Sequence, residues 1–142
     1  MAKTRKHTLA LDDDPLFDMI GICSHHSDYR LVWGINETLR LHLRKCEEDY
    51  IVTAKKGETI STHSMYEFQD DENRLEYYLI KNKHYGKFLI PEKPTIDYFL
   101  FLCNNCAIDP DELMMELKQV ESVLAVYPFD PDEVDSAHHI IF

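Results

Sequence analysis

Two carboxylates stand five residues apart in Ile90-Pro91-Glu92-Lys93-Pro94-Thr95-Ile96-Asp97-Tyr98. If the backbone folds so that Glu92 and Asp97 share one cavity, they form a pair suited to general acid–base work. If they lie apart, each is a hydrogen-bond acceptor that fixes a loop. Cys103 and Cys106 form a C-x-x-C spacing. A redox dithiol needs that pair at a helix N-terminus, where the dipole favours the thiolate, and here the next helix signal begins only at Asp109. A zinc site needs two more ligands, for which Cys23, His25 and His26 are the nearest candidates. With no second tight pair, no zinc and no cofactor are expected. His138 and His139 are adjacent, so neither strand nor helix geometry lets them chelate. The four glycines are scattered, which excludes a glycine-rich phosphate loop. No serine sits in a nucleophile-elbow context.

The elements around the carboxylates are more telling than the carboxylates themselves. Pro91 and Pro94 cannot donate to a ladder, so the stretch between them is irregular backbone and Glu92 is expected at the surface. From Ile96 to Cys103 both strand faces are apolar, the pattern of a strand buried in the middle of a sheet. Asp97 falls on the Phe99 and Phe101 face and so needs partners. Arg30 and the amides of the Pro91–Thr95 loop are the expected ones. Tyr98 is expected to pack at the strand's edge.

The residues Ile90-Pro91-Glu92, a three-residue spacer and Ile96-Asp97-Tyr98 resemble the signature of the IPE-x-x-x-VDY family of small bacterial proteins, with isoleucine in place of the family's valine. Looser similarity extends to Ile20-Gly21-Ile22, Asp28-Tyr29-Arg30-Leu31 with Ile35-Asn36, Asn82-Lys83 and Ile141-Phe142. The resemblance spans most of the chain. It implies no particular chemistry, because the family's activity is unassigned, and its pattern holds no cysteines at 103 and 106.

The 142 residues carry a net charge of −11, with 44% hydrophobic and 11% aromatic content. That suits one globular domain, 1–142, rather than a disordered chain. The acids cluster at expected turns: Asp12–Asp14, Glu47–Asp49, Asp70–Glu72, Asp109–Glu112 and Asp130–Glu133. The balance argues against a nucleic-acid binder, which needs a basic stripe. Lys3, Arg5 and Lys6, and Lys81, Lys83, His84 and Lys87, are the local basic exceptions. Acids arriving at Asp12 leave no room for a signal peptide, and the longest apolar run, Tyr98–Cys103, is too short for a membrane span. A cytoplasmic protein with reduced cysteines is expected.

Along the chain, Thr8–Leu11 and Phe17–Cys23 read as strands, the latter with a helical alternative. Ser27 or Asp28 caps a helix with Leu31, Val32, Ile35 and Leu39 on one face and Trp33 at the margin. Leu39, Leu41 and Leu43 alternate with polar residues, as in a strand or a frayed helix exit. Ile60–Phe68 alternates as one strand, and a turn at Asp70–Asn73 returns it through Leu75–Ile80 as a hairpin. The aromatics Tyr66, Phe68, Tyr77 and Tyr78 are explained by cross-strand packing. Asp109-Pro110-Asp111-Glu112 starts a helix that buries Leu113, Met114, Leu117 and Val120. Val123–Tyr127 is the last strand, followed by an extended tail over about 128–142. The fold class expected is α+β: a mostly antiparallel sheet with two helices packed on it.

Without a cofactor loop, metal set or nucleophile, the reading is a non-enzymatic interaction or adaptor module with a protein partner. The motif residues Pro91, Glu92, Asp97 and Tyr98, with Arg30, are its site. The alternative is a small enzyme or ligand-binding protein using Glu92 and Asp97 in a pocket. The apolar end Ile140-Ile141-Phe142 is expected to dock on its own domain; docking on a second subunit would make a homodimer.

Overall fold

The computed structural model describes residues 16–142. The strand expected at Thr8–Leu11 and the basic cluster at Lys3–Lys6 lie outside them. The fold is α+β, built on a six-stranded antiparallel sheet of order β10-β1-β9-β6-β5-β2. Its strands are β1 (Phe17–Cys23), β2 (Arg44–Lys45), β5 (Met65–Asp70), β6 (Leu75–Lys81), β9 (Tyr98–Cys103) and β10 (Ala125–Phe129). Two small hairpins accompany it: β3 (Tyr50–Thr53) with β4 (Thr59–His63), and β7 (Lys83–His84) with β8 (Lys87–Phe88). The helices are α1 (Asp28–Leu39) and α2 (Pro110–Leu117).

β9 lies between β1 and β6, and all six of its residues are buried. This is why both of its faces had to be apolar. On one face, Tyr98, Leu100 and Leu102 join Leu31, Val32 and Ile35 of α1 and Leu113 and Leu117 of α2 in one core cluster. Both helices therefore pack on the same side. Arg40, at φ 58°, closes α1 in the left-handed conformation that ends many helices. Asn36 then grips the exit: its Nδ2 donates to the Leu43 carbonyl and its Oδ1 accepts from the Leu43 amide, both at 2.9 Å. Leu41 and Leu43 are buried there, in a segment that is neither helix nor strand. Trp33 is 67% exposed on the solvent side of α1. In α2, Asp109 caps as expected, accepting from the Asp111 amide at 3.0 Å.

On the other face, Phe99, Phe101 and Cys103 pack with Phe17, Met19 and Ile80 beneath Leu89, Ile90, Ile96, Val134, Ala137 and Ile140. This cover contains little regular structure. It consists of the proline-broken loop, the small hairpins and the C-terminal segment.

Two sequence expectations are corrected. The run Ile60–Phe68 is not one strand. It breaks at Ser64, so that β4 joins β3 while β5 joins β6 and β2. The phase of burial changes at the break: Ser61 and His63 are buried before it, Tyr66 after it. The segment after residue 128 is not an extended tail. β10 runs to Phe129, and two 3-10 turns follow at Pro131–Glu133 and Asp135–His139, each folded by Asx or turn bonding within the segment. It docks on the chain's own sheet, with Ile140 buried and the Phe142 ring stacked on Tyr78 at 4.3 Å.

Candidate functional site

The irregular loop between β8 and β9 is organised by a residue that motif reasoning left aside. Asn82 is fully buried between β6 and β7. Its Nδ2 donates to the carbonyls of Lys93 (3.0 Å) and Ile96 (2.8 Å), and its Oδ1 accepts from the Ile90 amide (2.9 Å). Its own amide donates to the Asp97 carbonyl, and its carbonyl accepts from the Leu89 amide. Prolines at 91 and 94 leave the loop without a ladder, and one side-chain amide replaces it. The only sequence signal was the loose similarity at Asn82-Lys83.

The hairpin before the loop turns at Tyr85 (φ 50°) and Gly86 (φ 77°). Two successive positive φ values define the two-residue turn whose twist matches a hairpin.

Asp97 is half-buried at the head of β9. Its amide donates to the Ile22 carbonyl at 3.1 Å, continuing the ladder with β1. Its carboxylate accepts from the Ser24 amide at 2.9 Å, just where β1 ends. Neither expected partner takes part. Arg30 is exposed on α1, which packs on the opposite face of the sheet, and the amides of Lys93 and Ile96 bond to loop carbonyls instead. Tyr98 does not sit at an edge. It is buried on the helix side, and its hydroxyl donates to the His26 carbonyl at 2.9 Å. Burial pushes its phenol well above the usual tyrosine range, and the nearby Asp28 and Asp97 charges add to this.

Glu92 is exposed, as expected. It accepts from the Ser136 amide at 2.7 Å and the Ser136 hydroxyl at 2.6 Å. Partial desolvation pushes its carboxyl up, but these two bonds outweigh it and hold the group below the ordinary carboxylate value. Glu92 thus clips the loop to the C-terminal segment, while Asp97 clips β9 to the end of β1. The two carboxylates serve different partners and are not brought into one site.

Gly21 stands where β10 and the loop close over β1. A Cβ there would stand 2.5 Å from the Phe129 ring and 3.1 Å from Ile96. The missing side chain lets β10 and the motif isoleucine close over β1.

Two cavities touch the motif. The first, about 480 Å³, is open and lined by Ser24, Lys81, Lys83, His84, Asp97 and Tyr98 among others. The second, about 570 Å³, is apolar. It runs along residues 50–55 of β3 and its exit, and is walled by Ile60, Phe88, Leu89, Pro91, Ile140 and Ile141. Glu92 lines neither. Exposed apolar side chains crowd the second: Ile51 and Ile60 are about half exposed and Ile141 is 78% exposed. The β3–β4 hairpin was not anticipated in sequence, although Tyr50-Ile51-Val52-Thr53 is β-branched and ends in a turn at Gly57 (φ 84°).

The cysteines show no catalytic arrangement. Cys103 is buried and its thiol is pushed up to about 12 by desolvation, helped by Glu76 and Asp18; Cys106 is exposed. A thiol that weakly acidic is a poor nucleophile. Among the described residues, no group of three or more His, Cys, Asp or Glu side chains is placed to hold a metal ion, and no helix is long and apolar enough to cross a membrane. Compared with known proteins, the chain matches no family model and no curated protein.

Proposed function

We propose that the protein is a non-enzymatic interaction module that binds a protein partner in the apolar groove beside Pro91. The observation that supports this is the groove itself: Pro91 of the loop, the C-terminal isoleucines and the β3–β4 hairpin converge on one apolar channel of about 570 Å³. Exposed apolar side chains gathered in one place, rather than scattered, mark interaction surfaces. In this reading Glu92 and Asn82 shape the wall and do not touch the partner. Asp97 ties β9 to the end of β1 and Tyr98 packs on the helix side, so neither touches the partner, and Arg30 has no part. The resemblance to the IPE-x-x-x-VDY proteins fits a motif that builds a surface rather than performs chemistry. A cytoplasmic setting is part of the proposal.

The alternative, a ligand-binding protein or enzyme, has one observation in its favour: Asp97 lines the open cavity with Lys81, Lys83 and His84. The paired-carboxylate chemistry has none, because Glu92 is engaged with Ser136 elsewhere.

Affinity capture from the protein's own host, comparing wild type with Ile60→Asp and Ile141→Asp, tests the reading. Both side chains are substantially exposed, so the variants should keep wild-type stability. They should lose a protein that wild type retains, an untagged copy of the chain included. Identical captures from all three would refute it.

A further inference from the structure

We infer that the partner fitted by this groove is a second copy of the chain, added antiparallel along the free edge of β3. The inference rests on the interaction reading above and names its partner.

β3 pairs with β4 on one side; among the described residues no strand pairs on the other. Residues 50–55 line the groove consecutively. Successive side chains of a strand point to opposite faces, so an unbroken run of lining residues means the groove follows the strand's edge rather than one face. Tyr50, Val52 and Ala54 are half-buried, while Ile51 and Thr53 face solvent. The register with β4 passes from Val52↔Ser61 to Thr53↔Thr59. The extra residue, Ile60, is thus on β4, and β3 remains regular. Folded proteins guard free edges with charges, prolines or bulges in the edge strand, and Tyr50-Ile51-Val52-Thr53 has none of these.

The flanks identify the occupant. Glu48 and Asp49 precede the strand, and Lys55 and Lys56 follow it. In an antiparallel pair about a two-fold axis normal to the sheet, opposed residues must share a face, so their numbers sum to an even value. With Val52 opposite Val52, Ile51 meets Thr53 and Tyr50 meets Ala54. β3 ends at Thr53 and Lys55 and Lys56 stand in the Ala54–Gly57 turn just beyond it, so this register sets the acidic entrance of each copy's strand, Glu48 and Asp49, beside the basic turn of the other. The segment is electrostatically self-complementary end to end, because an antiparallel arrangement brings the acidic end of one copy to the basic end of the other. The net charge of −11 on each copy opposes association, but beyond a Debye length of about 8 Å at physiological salt that repulsion is largely screened. The dimer should therefore be reversible.

Sedimentation velocity on the full chain tests this. Wild type should shift from monomer to dimer with concentration. Lys55→Glu with Lys56→Glu should remain monomeric, as should Glu48→Lys with Asp49→Lys. An equimolar mixture of the two should recover the dimer, because every flanking pair is again opposite in sign. Circular dichroism checks that both variants are folded. If the Asp49 substitution disturbs the fold, the single pair Glu48→Lys and Lys56→Glu takes its place. Wild type that stays monomeric up to about 1 mM, a reversal variant that dimerises as wild type does, or a mixture that fails to form the mixed dimer would each overturn the proposal. Loss of a different captured protein in the Ile60 and Ile141 variants would still uphold the groove, so the two readings fail separately.

Discussion

Asn82 and Asp97 do similar jobs with unequal stakes. Asn82 makes three side-chain hydrogen bonds from a fully buried position. Asp97 accepts one described side-chain bond from a half-buried one. Removing a buried partner costs the desolvation of whatever it leaves unpaired, about 1–3 kcal/mol per group. Asn82→Ala should therefore lower the free energy of urea unfolding by about 3 kcal/mol or more. Asp97→Ala, which breaks a single described bond from a half-buried carboxylate, should cost about 1 kcal/mol. Equal losses would mean that the loop is not held from Asn82. The position of Asp97 was legible in sequence, because alternation placed it on an apolar face. Its partner was not. Ser24 is 73 residues away and meets it only because β1 and β9 end together. Arg30, one of the expected partners, stands on α1, which packs on the other side of the sheet.

At the scale of elements, legibility followed how each element buries itself. β9, apolar on both faces, and α2, with its Asp109-Pro110 start, were plain. The β3–β4 hairpin was not, because β4 reverses the usual pattern: it buries Ser61 and His63 and exposes Ile60. A reading that equates apolar with inside must join β4 to β5. The C-terminal segment is a second such element. Three large apolar residues after an acidic, proline-broken stretch demanded a docking site, but not its identity. Ile140 is buried, the Ile141 amide donates to the Tyr50 hydroxyl at 3.0 Å, and Phe142 packs against Phe17, Tyr78 and Phe101. Deleting Ile140–Phe142 should lower stability by about 3 kcal/mol, the worth of one well-buried side chain and part of another. The melting temperature should fall at every protein concentration. A loss seen only in dilute samples would place the contacts between molecules instead.

For the molecule as a whole, His63 couples stability to pH. It is fully buried on β4, and its Nε2 is 2.8 Å from the Ser61 hydroxyl. Desolvation holds its pKa below the ordinary histidine value, against the opposing pull of the Lys81 backbone; His84 and Asp49, the other titratable neighbours, act in opposite senses. The unfolded chain, with a histidine pKa near 6.5, then binds a proton that the folded chain refuses. The resulting stability is present above about pH 6.5 and is lost as pH falls from there toward the depressed folded value. Replacing His63 by Gln should remove this part of the pH dependence. The stability gap between wild type and His63→Gln should narrow as the pH is lowered from about 7.5 to about 5.5, followed by urea unfolding at each pH. A gap that widens would mean that His63 is protonated in the folded protein.

The two covers of the central sheet are unlike in kind. One is a pair of helices whose backbone bonds are local. The other is loops, short turns and two small hairpins fastened by Asn82, by Glu92 with Ser136, and by the Phe142 ring. Regions with few regular backbone bonds open at a lower free energy than the sheet they cover. The protein should then breathe on one side only. In that partly open form, amides of the proline loop and of residues 130–140 would exchange with solvent while β1, β6 and β9 stay closed. Phe99 and Phe101 would come into contact with water, so the first step toward aggregation would start beneath the motif and leave the helical side intact.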